Sequence, residues 1–155
     1  MWARKAGSLM LASAMMLSLV VETALAEGGL ETVATTKSFK ELQDALEAAV
    51  TANKMFVVSR ACASCGAAKR DVTIPGNMVV GVYRNDFAVR MLEASVPAGI
   101  EAPIRFYLTE NADGSASLSY QLPSAVFAPY GSADLNSMAS ELDAIWTKIV
   151  DSATQ

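Results

Sequence analysis

Cys62 and Cys65 stand three positions apart in the segment SRACASCGAAKR, residues 59–70, and the chain has no other cysteine. A C-x-x-C pair can close a small disulfide ring, exchange disulfides with a partner, or present two thiolates to a soft ion such as Cu(I). Arg60, Lys69 and Arg70 flank it, and nearby positive charge favours thiolate over thiol. Residues 66–70 can form a helical turn whose positive end adds to that effect. On this reading Cys62 is the more exposed, attacking thiol and Cys65 the resolving one.

Each reading has a counterweight. A four-residue ring is a weak staple, worth about 2 kcal/mol of loop closure against roughly 4.7 for a 100-residue loop. A structural zinc site needs four ligands, which two cysteines supply only if a dimer brings two pairs together. Copper carriers often place a methionine two positions before the first cysteine of such a pair, and Arg60 stands there instead.

The compartment bears on the choice. Arg4 and Lys5, the apolar run from Leu9 to Val21, and Ala24-Leu25-Ala26 have the layout of an export signal ending at residue 26. The apolar run is shorter than the roughly 20 residues a spanning helix needs, and no cysteine follows the cleavage site to take a lipid. The expected address is the periplasm or the exterior, with no membrane attachment after cleavage. There a disulfide is the default state of two cysteines. Cleavage leaves 129 of 155 residues, enough for one domain with its own core. The signal holds Arg4, Lys5 and Glu22, so 12 basic and 16 acidic residues become 10 and 15, and the net charge moves from −4 to −5. An acidic domain argues against nucleic acid as a partner.

Histidine is absent. That excludes Ser-His-Asp and Cys-His catalysis, histidine-ligated zinc, and haem attachment through C-x-x-C-H, since Gly66 follows Cys65.

The elements that must position the pair follow from periodicity. Residues 31–36 read as a strand. Ser38 and Glu41 make a capping box ahead of a helix over 39–53, whose apolar residues recur at helical spacing. Residues 55–59 read as a buried strand leading into the cysteines, and 77–84 as the next strand. Asn85 or Asp86 can cap a helix carrying Phe87, Met91 and Leu92. Residues 104–110 and 116–122 form a hairpin turned by Asp113-Gly114. Residues 123–131 read as a long turn. A closing helix over 133–150 carries Leu135, Met138, Leu142, Ile145, Trp146 and Ile149 on one stripe. The expected fold is α+β, a mixed sheet with helices on one face, in the order strand-helix-strand-strand-helix-hairpin-helix. Residues 32–151 form the single domain, 27–31 a flexible leader and 152–155 a tail.

A second candidate surface is aromatic. Tyr83, Tyr107, Tyr120 and Tyr130, with Arg105 and Glu110, can line a small-ligand groove on one sheet face, with Tyr107 beside Tyr120 across the hairpin. Strand tyrosines equally complete a sheet face or a dimer contact. Glu101, Glu110 and Asp113 form no recognisable catalytic pair, Ser124 and Ser132 have no base, and no Gly-rich phosphate loop occurs.

The run EAPIRFYLTENADGSASLSY, residues 101–120, resembles the hallmark block of the domain of unknown function 302 family. Its marks here are Pro103, Glu110, Asp113, Gly114 and Tyr120, followed by Pro123. The likeness extends from about residue 32 to 150. It implies a compact α+β domain, often a homodimer, and no established reaction. The chain departs from the family pattern in two places. Arg60-Ala61-Cys62 replaces a usual Asp-His pair, and Arg84-Asn85-Asp86 a usual Gly-Asn-Pro turn. Any ligand role of those usual residues is not carried over.

Two functions remain in contention. One is an exported, non-enzymatic small-ligand-binding or interaction module with a Cys62–Cys65 disulfide and no cofactor. The other is a thiol-redox or Cu(I)-handling accessory protein working through the C-x-x-C loop on a periplasmic thiol partner.

Overall fold

The computed structural model describes residues 29–155, so the expected export signal lies outside the described residues. The elements are β1 (Leu30–Ser38), α1 (Phe39–Ala52), β2 (Phe56–Cys62), α2 (Ala63–Ala68), β3 (Asn77–Tyr83), α3 (Asn85–Ala94), β4 (Ile104–Glu110), β5 (Ser115–Gln121), α4 (Pro123–Phe127) and α5 (Ala133–Thr154). Short 3-10 turns occupy Val96–Glu101 and Ala128–Tyr130.

The α+β class and the expected element order are present, with α2 at 63–68 where a helical turn over 66–70 is expected, and with α4 and the two 3-10 turns added. The strands form one sheet in the order β1-β5-β4-β3-β2. Every pairing is antiparallel, where a mixed sheet was expected. The reason is topological: α1 carries the chain from one edge strand to the other. β1 and β2 run the same way but have three strands between them, so no neighbours are parallel.

Local chemistry explains the boundaries. The capping box forms: Ser38 N–H donates to Glu41 Oε2 at 2.8 Å, and Glu41 N–H donates to Ser38 Oγ at 3.4 Å. Gly114 takes φ 84° in the hairpin turn, a backbone angle that costs glycine little. Asp113 Oδ1 accepts from Ser115 N–H at 3.0 Å and fixes the turn. Pro123 begins α4, where the expectation was an irregular turn. Proline is favoured at a first helical position because its missing N–H has no intrahelical partner there anyway.

The register sorts the two faces. Val80, Phe106 and Leu118 are fully buried on the face covered by α1, α3 and α5. The indole of Trp146 stacks on Phe106 at 5.3 Å between ring centroids. On the other face Tyr107 stands between Val79 and Ser119, with Thr32 beyond.

Three expectations are corrected. β2 is an edge strand rather than a buried one, with Phe56 63% and Val58 52% exposed, because strand order places it outermost. The expected leader over 27–31 gives way at Leu30, where β1 begins. The expected tail is helical: α5 runs to Thr154 because Ala153 extends the buried stripe, and Lys37 Nζ donates to the Gln155 carbonyl. Among the described residues no helix is long and apolar enough to cross a membrane.

Candidate functional site

Cys62 closes β2 and Cys65 lies in the first turn of α2, their Cα atoms 5.2 Å apart and their sulfurs joined as a disulfide. The register sets Cys62 opposite Met78, so its side chain turns inward and packs against the core. Cys65 is exposed on the outer turn. This reverses the expected order of exposure. Strand position decides it, since the last residue of β2 shares the core-facing register of Met78.

Polar contacts converge on the inner sulfur. Cys65 N–H donates to Cys62 Sγ at 3.1 Å, and Ser64 Oγ lies 3.5 Å from the same sulfur. Ser64 Oγ accepts from Asn77 N–H at 3.2 Å and is 3.5 Å from the Asn77 carbonyl oxygen, which ties α2 to β3. The expected supporting charge is partly elsewhere. Arg60 faces α1 and is paired with Glu47, while Lys69 and Arg70 are exposed just beyond α2. Two-thiolate binding of Cu(I) requires the pair to be reduced. Among the described residues no group of three or more Cys, Asp or Glu is gathered as a metal site.

The aromatic surface comes together only in part. Tyr107 and Arg105 lie on the helix-free face, and the Tyr107 hydroxyl accepts from Asn77 Nδ2. Tyr120 does not join them. The register pairs Tyr107 with Ser119, so Tyr120 stands opposite Phe106 on the core face, 8% exposed. Its hydroxyl donates to Glu31 Oε2 at 2.5 Å. Burial, then that carboxylate, push the Tyr120 hydroxyl far above its ordinary pKa. Tyr130 is separate again, donating to Glu101 Oε1 at 2.8 Å. Tyr83 sits at the other end of β3, opposite Phe56.

Tyr83 borders a feature that sequence reasoning missed. An apolar cavity of about 30 Å³ lies between α3, α5 and the sheet end, lined among others by Tyr83, Phe87, Met91, Met138 and Trp146. Arg84 stands at its wall, paired with Asp86 at 2.7 and 3.0 Å and laid over the Phe87 ring at 4.3 Å. The Trp146 indole N–H is buried and has no hydrogen-bond partner among the described residues. A buried donor without a partner is uncommon and calls for an explanation. Helical periodicity identifies Trp146 as core, and nothing in the sequence signals that its nitrogen lacks an acceptor.

The family model for Domain of unknown function DUF302 matches residues 31–153. The chain belongs to this family. A crystal structure of an uncharacterized conserved protein DUF302 from Bacillus stearothermophilus superposes with a TM-score of 0.72 at 13% identity, covering 82% of this chain and 98% of that one. At that identity the likeness is one of fold. No curated protein matches the chain.

Within the DUF302 domain the hallmark residues are accounted for by structure. Pro103 enters β4 through a cis peptide bond and packs against Gly81, where any Cβ would come within 2.8 Å of its ring. Glu110 Oε2 accepts from Gly76 N–H at 2.6 Å and holds the loop that leads away from the cysteines. Asp113 and Gly114 make the hairpin turn, Tyr120 ties the core to Glu31, and Pro123 starts α4. These residues build the domain; they do not converge on one site.

Proposed function

We propose that this DUF302 protein is an exported, non-enzymatic binding module, and that its ligand is a small, uncharged, apolar molecule bearing one hydrogen-bond acceptor. The observation that carries the reading is Trp146, which lines the apolar cavity and whose buried indole N–H has no hydrogen-bond partner among the described residues. Pockets of this kind bind by apolar contact and orient the guest with a few polar groups. Arg84 is already paired with Asp86, which favours an uncharged guest over an anion. The open volume suffices for a water molecule or two, so a larger guest enters by repacking Met55, Met91 and Met138, whose unbranched thioether chains adapt readily.

Titration with cyclohexanone, followed by the indole N–H resonance of Trp146, tests this. The reading expects a saturable downfield shift that methylcyclohexane, with the same apolar bulk and no acceptor, does not produce. Equal responses to both, or none to either, overturn it.

The same module is proposed to act as a homodimer through its helix-free sheet face and the β2 edge. Exposed Phe56 and Val58 at that edge support this reading. Sedimentation of the protein and of Phe56→Glu separates the cases: a dimer that the substitution makes monomeric supports it, and a monomer in both removes it.

A further inference from the structure

We infer that Cys62–Cys65 is a thiol–disulfide exchange site of fixed polarity, in which a partner attacks Cys65 and Cys62 departs as the thiolate. This goes beyond the binding reading, since it uses a different part of the molecule.

Three observations carry it. Access comes first: exchange needs a sulfur open to in-line approach of a thiolate. Cys65 is exposed on the first turn of α2, whereas Cys62 is packed at the end of β2 opposite Met78. The second is stabilisation of the leaving sulfur. Cys62 Sγ already accepts the Cys65 N–H at 3.1 Å, a bond that strengthens when the sulfur carries charge. The third is Ser64. Its oxygen accepts from Asn77 N–H at 3.2 Å, while Cys62 Sγ and the Asn77 carbonyl both lie 3.5 Å away. The hydroxyl hydrogen is therefore poised between two weak acceptors. Charge on Cys62 makes the sulfur the better one, and the hydroxyl turns to it. Ser64 is a positioning residue whose contribution appears only once the disulfide opens.

The step balances with a dithiol as co-reactant, a protein carrying two neighbouring thiols. One of its thiolates attacks Cys65 Sγ. The new S–S bond joins partner to Cys65, the Cys62–Cys65 bond breaks, and its electron pair remains on Cys62. The partner's second thiolate then attacks its own sulfur in the mixed disulfide and releases Cys65. The partner is oxidised by two electrons and the pair is reduced by two. The two protons lost by the partner's thiols pass to Cys62 and Cys65 or to solvent.

The oxidised protein treated with glutathione, quenched in acid and peptide-mapped, tests the polarity. The adduct is expected on Cys65 in about tenfold excess over Cys62, because the part-buried inner sulfur offers less access. An even split, a majority on Cys62, or no adduct under conditions that open an unstructured C-x-x-C peptide overturns the proposal. The role of Ser64 has its own readout. In Cys65→Ser, which keeps the backbone N–H, thiolate absorbance gives the ionisation of Cys62. Adding Ser64→Ala is expected to weaken that ionisation about fivefold, the effect of one hydrogen bond. An unchanged ionisation removes Ser64 from the proposal, whatever the substitution does to stability.

Discussion

Arg60 grips Glu47 across the gap between the edge strand and the first helix, its Nε 2.7 Å from Oε1 and its Nη2 2.8 Å from Oε2. The register makes this contact: Arg60 lies opposite Val80 on the helix-covered side of β2, where it meets α1 rather than the cysteine loop. A cation two residues from Cys62 in sequence is thereby turned to a structural task. Its hydrogen bonds hold the Glu47 carboxyl below its ordinary pKa, against a smaller opposing effect of burial.

Arg60→Ala should therefore raise the Glu47 pKa toward its unfolded value and leave Cys62–Cys65 exchange unchanged. The stability cost is expected to be only about 0.5 kcal/mol, because both side chains are partly exposed. A depressed carboxylate contributes above its unfolded pKa, and the contribution is lost as pH falls through the folded value. The difference between wild type and variant should be present at neutral pH and be lost in acid, as the pH falls through the lowered folded value. Carboxyl NMR titration and urea melts at neutral and acid pH check it. A variant that alters thiol reactivity instead would return Arg60 to the cysteine site.

The Tyr120–Glu31 hydrogen bond joins β5 to the edge strand β1 from the core side. Tyr120→Phe removes the donor and leaves a part-buried carboxylate without it, an expected loss of about 1–3 kcal/mol. The alkaline side carries the sharper test. A hydroxyl whose pKa is raised on folding contributes fully below its unfolded value of about 10, and the contribution is lost as the pH climbs toward the folded value. Wild-type stability should decline above about pH 10 more steeply than that of Tyr120→Phe. Parallel curves would mean that the buried hydroxyl does not couple to folding.

What could be read in the sequence is local. Ser38 with Glu41, and Asp113 with Gly114, act within a few residues of themselves, and the structure places the cap and the turn at those positions. The stripe of α5 is equally local. What could not be read depends on which strands become neighbours. The apolar run before the cysteines looks buried until strand order makes β2 an edge. Tyr120 joins Tyr107 or turns its back on it according to one residue of register. The exposure of Cys62 and Cys65 reverses for the same reason, because facing Met78 fixes the inner sulfur. Pro123 at the first position of α4 is a local signal of the same kind, whereas the lone indole N–H of Trp146 depends on three-dimensional surroundings alone.

The disulfide itself should prove a minor support of the fold. Its ring spans four residues, and closing so short a loop removes little freedom from the unfolded chain, so Cys62→Ser with Cys65→Ser should cost about 2 kcal/mol or less. The local geometry reduces the loss further. Cys62 is the N-cap of α2 and accepts the Cys65 N–H; serine is among the preferred residues at that position, so a hydroxyl there can accept the same bond. The core loses little, because among the cysteines only the part-buried Cys62 packs against it. Urea melts of the doubly substituted protein and of the wild type, oxidised and reduced, measure the cost. A loss near 5 kcal/mol, or failure to fold, would make the pair a structural staple and remove the ground for reading it as chemistry. A small loss leaves the pair with little structural purpose, and the adduct map then decides what it does.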